Sequence, residues 1–214
     1  MVRHVNCAIT IFPGWLETCG SPGSGMIRLA HECRSIAPWP DLEVNFFPWR
    51  VNVDDVAEYL RRFAPVNERQ RHLVVGYSYG GQTAVNFCRA LLAHTALSPA
   101  GGVEITELWL CDPVRRWRWL PGVAALFGLG KLVVPDEVQA VWGVCQRAPR
   151  WSFSRWLNDS NGLLYSPAGH AVAWRGRRGM LLERFVNHSH IDDDRYFRRD
   201  VLRAVARLLN TEDP

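Results

Sequence analysis

The stretch Leu73-Val74-Val75-Gly76-Tyr77-Ser78-Tyr79-Gly80-Gly81-Gln82-Thr83-Ala84 constrains the fold more than any other part of the chain. Leu73 to Val75 is an unalternated apolar run, the pattern of a strand covered on both faces. Ala84, Val85, Cys88, Leu91 and Leu92 then recur at the spacing of one helix face. Between the two lies Gly-x-Ser-x-Gly, so the segment reads as strand, sharp turn, helix. A serine at the tip of such a turn sits in strained backbone, and side chains two residues before and after it would collide. Gly76 and Gly80 remove those side chains, and Gly81 relaxes the helix start. The Ser78 hydroxyl is then exposed at the carboxyl edge of a sheet, above the unpaired N–H groups and positive dipole end of a helix. That geometry suits a nucleophile.

The flanking chain alternates strand and helix. Val5 to Phe12 reads as a first strand ended by Pro13-Gly14, and Gly20 to Gly25 as a loop leading to a helix over about Met26 to Ser35. Leu42 to Phe47 is a second strand stopped by Pro48. Asn52 caps a helix to Phe63 with Asp54 and Asp55 in its first turn, and Val56, Tyr59, Leu60 and Phe63 form its buried stripe. After the Ser78 strand comes Val103 to Cys111, ending in Asp112-Pro113. Glu183 to Asn187 reads as the last strand, and a helix over about Arg195 to Leu209 closes the chain, with Phe197, Val201, Ala204, Val205 and Leu208 inward. Such alternation predicts a three-layer α/β/α domain built on a mainly parallel sheet with right-handed crossovers. The 214 residues suffice for one core and one domain, residues 1–214.

One segment departs from the alternation. About 114–170 holds Trp117, Trp119, Trp142, Trp151 and Trp156 among arginines at 115, 116, 118, 147, 150 and 155. Within it Pro135 to Trp142 looks like a helix start, with Pro135 near the first position and two acids behind it. The segment reads as a helical, lid-like insertion after the fourth strand, lying over the carboxyl edge of the sheet, or as a surface excursion whose tryptophans pack on the body.

Composition narrows the function classes. The formal charge is +4 with nearly all basic residues arginine, Lys131 being the sole lysine. Nucleic-acid binding through Arg115 to Trp119 and Arg175 to Arg178 has charge and aromatic content behind it but no motif, so no nucleic-acid partner is expected. The first residues carry too short an apolar run for a signal peptide, and no run spans a bilayer, which predicts a soluble, cytoplasmic protein. Cys7 and Cys111 in strands and Cys88 on a helix face read as small buried hydrophobes, with disulfides the second reading.

A serine hydroxyl is a poor nucleophile at neutral pH and needs an imidazole, which in turn needs a carboxylate to set its tautomer. Asp112, at a strand's carboxyl end one strand beyond Ser78, lies on the right edge for that carboxylate. The imidazole comes from His188-Ser189-His190, just past the last strand. In an extended continuation His188 and His190 share a side. Reach favours His188, and His190 is the alternative. His72 is assigned to the amino end of the Ser78 strand, the wrong edge. The acids Asp192 to Asp194 read as a helix start, so no metal site is needed to explain the His-x-His pair.

The stretch Gly76 to Gly81 resembles the nucleophile elbow of the α/β-hydrolase family, and the order Ser78, Asp112, His188 resembles that family's order of triad residues. The ending His-x-x-Ile-Asp is similar to that of small hydrolases. The resemblance implies a minimal α/β-hydrolase-like fold and an oxyanion hole from the backbone amides of Trp15 and Tyr79. It also implies hydrolysis of an ester or thioester of a small molecule through an acyl-enzyme, with no cofactor. The acid in that family more often follows one strand later. Acyl transfer to another acceptor, or a binding protein that keeps the fold without turnover, are the alternatives it leaves.

Overall fold

The computed structural model describes residues 7–14, 23–37, 41–63, 70–96, 102–113, 132–146, 172–173, 178–184 and 188–210, with backbone alone at 63, 96, 146, 172–173, 178, 181, 183–184 and 188–190. In chain order the elements are β1 (Cys7–Phe12), α1 (Gly25–Ile36), β2 (Glu43–Phe46), α2 (Val53–Phe63), β3 (Gln70–Tyr77), α3 (Tyr79–Ala96), β4 (Val103–Cys111), β5 (Leu132–Val133), β6 (Ala140–Gln146), β7 (Val172–Ala173), β8 (Arg178–Arg184), a 3₁₀ helix (His188–Asp193) and α4 (Arg195–Asn210). Six strands form one parallel sheet in the order β2-β1-β3-β4-β6-β8. β5 and β7 pair separately.

Side-chain alternation along the strands divides the core in two. Ile9, Ile11, Leu73, Val75, Tyr77, Trp109 and Cys111 face Leu29, Cys33, Phe197, Val201 and Val205 of α1 and α4. Their neighbours Phe12, Val74, Leu108 and Leu110 face Val56, Leu60, Val85, Phe87 and Leu91 of α2 and α3. Both faces of the sheet are therefore covered, which is why the strands read as apolar runs rather than alternating ones. The expected three-layer α/β architecture is the one observed.

The order of strands matters for the site. From β1 the chain steps outward to β2, then returns to β3 on the other side and proceeds through β4, β6 and β8. The order reverses between β1 and β3, and in open α/β sheets ligands bind at the carboxyl ends flanking such a reversal. Pro13-Gly14 after β1 and Ser78 after β3 occupy it.

Several local readings change. Pro135 to Trp142 does not start a helix: residues 136–137 form a turn closed by Val138 N donating to Pro135 O at 3.2 Å. Ala140–Gln146 is then a strand hydrogen-bonded between β4 and β8. A proline followed by acids begins a turn as readily as a helix, and the run Ala-Val-Trp-Gly-Val gains two ladders in the sheet, which outweighs the weak local helix signal. The described part of the 114–170 segment is thus β5, a turn and a core strand, with no helix among its described residues. β8 runs from Arg178 to Arg184, five residues earlier than the pattern at Glu183 suggests. Tyr59 is half exposed rather than part of the buried stripe of α2. His72 lies inside β3, fully buried, not before it. Among the described residues no helix is long and apolar enough to cross a membrane.

Candidate active site

Ser78 stands between β3 and α3 with φ 53°, a left-handed conformation that a non-glycine residue rarely adopts. Its amide donates to Cys111 O at 3.1 Å, and its carbonyl accepts from Gly81 N at 2.9 Å as α3 begins. The elbow is packed too tightly for side chains at its glycines. A Cβ on Gly76 would lie 2.6 Å from Gly80 O and 2.7 Å from Ala84 Cβ, and one on Gly80 would meet the carbonyl oxygens of Phe12 and Pro13. The loop after β1 comes equally close, since a Cβ on Gly14 would lie 2.9 Å from the Tyr77 ring and 3.2 Å from Ser78 Cβ. The Pro13-Gly14 turn therefore borders the serine directly. Trp15, the expected oxyanion donor from that loop, lies outside the described residues; Tyr79, the other, opens α3.

Asp112 follows β4 as Ser78 follows β3. Tyr77 and Cys111 are partners in the sheet register, so Ser78 and Asp112 leave adjacent strands at the same level. Asp112 also has a positive φ, 42°, and its amide donates to Val144 O of β6 at 2.7 Å. It is 3% exposed and Ser78 4%. Two non-glycine residues in left-handed backbone, side by side on one sheet edge, store strain on the order of 1–3 kcal/mol each. A fold retains such strain where the surroundings over-determine it.

The histidine-bearing segment is a 3₁₀ helix, not an extended continuation. Residues three apart superpose in such a turn. His188 and His190 both lie in this turn, whose Ile191 is fully buried against the body. Their side chains lie outside the described residues. The turn itself is clamped from two sides. Cys111 Sγ, next to Asp112, donates to Ile191 O at 3.4 Å, and burial, with the charges of Asp112 and Asp192 adding, pushes that thiol up so that it stays a protonated donor. On the other side the buried Asp192 carboxylate accepts from Gly25 N at 2.9 Å, and Arg28 pairs with Asp193. Gly25 has no room for a side chain because the Asp192 carbonyl lies against it.

The three acids therefore divide their work, which a single helix-start reading misses. Only Asp194 caps α4, its Oδ1 accepting from Tyr196 N at 2.7 Å and Phe197 N at 2.9 Å. Asp192 and Asp193 reach back across the molecule to α1, whose own cap is Ser24. Neither contact has a sequence signal, because the partners are 167 and 165 residues apart. Among the described residues no group of three or more His, Cys, Asp and Glu side chains is placed to hold a metal ion.

No family model matches the chain, and no curated protein matches it. Among solved structures it is similar to one from Agrobacterium vitis S4 described as a candidate hydrolase, with a TM-score of 0.52 at 12% identity, over 97% of this chain and 91% of that one. The two share a fold along nearly their whole lengths. At that identity the likeness extends to the fold alone.

Proposed function

We propose that this protein is a serine hydrolase that cleaves a carboxylic ester or thioester of a small molecule through an acyl-enzyme. The observation that carries the reading is Ser78 in left-handed backbone at a strand-to-helix turn whose glycines admit no side chain. A residue held so at a sheet's carboxyl edge presents its hydroxyl away from its own backbone, as attack on a carbonyl requires. The Agrobacterium vitis structure, a candidate hydrolase on the same fold, agrees with hydrolysis as the class of reaction.

In this mechanism His188 takes the Ser78 proton as the hydroxyl attacks the acyl carbonyl, and Asp112 stabilises the imidazolium that results. The oxyanion is held by the Tyr79 amide at the start of α3 and by the Trp15 amide from the loop after β1. The imidazolium then protonates the departing alcohol or thiol, and water, activated by the same imidazole, releases the acid. Three features support the partners. Asp112 leaves the neighbouring strand level with Ser78. The Pro13-Gly14 turn borders the serine. His188 follows the end of β8 more closely than His190 does, which favours it as the base. The lid expected of the segment at about 114–170 falls on stretches 114–131 and 147–170, which lie outside the described residues.

A fluorophosphonate probe tests this. Wild-type protein should label on Ser78, and Ser78→Ala should lose the label while unfolding at the same temperature. Once an ester substrate is found, the substitution should lower kcat by about 10³-fold or more. Labelling of Ser78→Ala at the wild-type rate would end the reading.

A further inference from the structure

Beside the elbow lies a cleft of about 560 Å³ between the first turns of α2 and α3, lined by Trp49, Arg50, Asn52, Tyr79, Gln82 and Asn86 among others. We infer that this cleft is an anion subsite that selects substrates carrying a carboxylate or phosphate at the end remote from the scissile bond. The inference rests on the hydrolase reading of Ser78 for the word substrate, but the anion site stands on its own geometry.

The chemistry of the walls is one-sided. Among the described residues lining the cleft none is a carboxylate, and Arg50 is the one charged group. Asp54 and Asp55 of the same α2 turn are exposed and do not line it. Among the described residues no carboxylate pairs with Arg50. Its guanidinium instead lies 4.5 Å from the centroid of the Trp49 ring, and Trp49 stacks on Tyr79 at 5.3 Å with the rings tilted by 28°. The Trp49 carbonyl is tied to α3 by Thr83 Oγ1 at 2.6 Å. A guanidinium braced over a ring loses little freedom on binding and can offer its N–H groups to a planar, bidentate acceptor. Two amides add donors. Asn52 spends its oxygen on Asp54 N at 3.2 Å and Asn86 its oxygen on Arg89 Nη1 at 3.1 Å, which leaves the NH₂ end of each for a ligand. Amide donors around a cation that no described carboxylate neutralises fit an oxyanion.

The column Tyr79, Trp49, Arg50 also sets a length. Tyr79 is the residue after the nucleophile, and two stacking steps separate it from the guanidinium. The guanidinium therefore lies within about 10 Å of the Tyr79 ring, which bounds to the same order the chain of a substrate that reaches both. An octanedioyl chain spans that distance.

Two measurements separate the site from the chemistry. Octanedioate and octyl phosphate are titrated calorimetrically into wild-type protein, Arg50→Gln and Arg62→Gln, the last changing an exposed arginine on α2 outside the cleft. At least one anion should bind wild type and Arg62→Gln alike and Arg50→Gln about tenfold more weakly; the tighter of the two identifies carboxylate or phosphate. Second, the ratio of kcat/KM for mono-p-nitrophenyl octanedioate over p-nitrophenyl octanoate should exceed one in wild type and fall about tenfold in Arg50→Gln. No binding of either anion to wild type, equal weakening in Arg62→Gln, or a ratio untouched by Arg50→Gln would overturn the inference. Arg50-dependent binding with no turnover and no fluorophosphonate labelling would leave the anion site standing and remove the hydrolase reading. Labelling and turnover without anion binding would do the reverse.

Discussion

His72 offers a test of the core on which the site stands. Its imidazole is fully buried in β3, with Nε2 2.8 Å from Thr10 Oγ1 of β1, its ring 5.7 Å from that of Phe87 and Nδ1 without a hydrogen-bond partner. Burial holds its pKa down to about 3 from an ordinary 6.5. The folded protein therefore keeps the ring neutral, while the unfolded chain takes up a proton below about pH 6.5. Because the folded value is the lower one, the contribution to stability is fully present above pH 6.5 and is lost progressively as the pH falls towards 3. At about 1.4 kcal/mol per pH unit, acidification from 6.5 to 4.5 removes roughly 3 kcal/mol. That is a large part of a typical total of about 5–15 kcal/mol. Urea unfolding of wild type and His72→Gln, followed from pH 7.5 to 4.5, isolates the effect. Glutamine keeps a polar group opposite Thr10 but does not titrate. The wild type should lose roughly 3 kcal/mol more than the variant across that range. Parallel pH profiles for the two proteins would refute the reasoning, since the ring would then titrate alike in the folded and unfolded states.

Gly25→Ala should destabilise the protein by about 1–3 kcal/mol or more, because the new methyl meets the Asp192 backbone rather than a yielding side chain; thermal unfolding measures this. The same variant should slow fluorophosphonate labelling of Ser78 by shifting the histidine turn, and normal labelling with normal stability would show that the contact relaxes freely. His188→Ala should lower esterase kcat by about 10³-fold or more and His190→Ala by less than about tenfold. The opposite result in a steady-state assay would move the base by two residues and leave the Ser78 reading intact.

The elbow was legible because everything it needs is local. Gly76, Ser78 and Gly80 are contiguous, and the apolar run before them and the helix spacing after them announce the turn without reference to the rest of the chain. β4 was legible to the residue, Val103 to Cys111, for a similar reason: Val103 and Ile105 alternate with polar residues, Leu108 to Cys111 is an apolar run, and a breaker stands at each end. β6 was not. Its residues carry a helix-start signal, proline then two acids, and only the ladders to β4 and β8 decide for a strand. Those partners are distant in sequence, so no window around residue 140 contains the deciding energy. The Arg50 cleft was equally hidden, since the stack of Trp49 on Tyr79 joins the turn after β2 to the first residue of α3, which composition alone does not bring together.

The histidine turn shows most clearly how a local reading can be right in kind and wrong in use. Three consecutive acids before an amphipathic stretch do begin a helix, and Asp194 caps α4 as that pattern implies. Yet an N-terminus offers few amides, and Asp194 Oδ1 already takes two of them. The remaining two acids must find partners elsewhere or stay in water. Asp192 is buried, so a solvated role is closed to it. The donor it meets is the first amide of α1, a helix placed by β1 on the same face of the sheet as α4. A carboxylate at one helix start thereby fixes the start of another, and the short turn between His188 and Asp194 is pinned to α1 and β4 together. Packing of this kind converts a loop of flexible composition into one whose position is set by the core, as the proposed base would require.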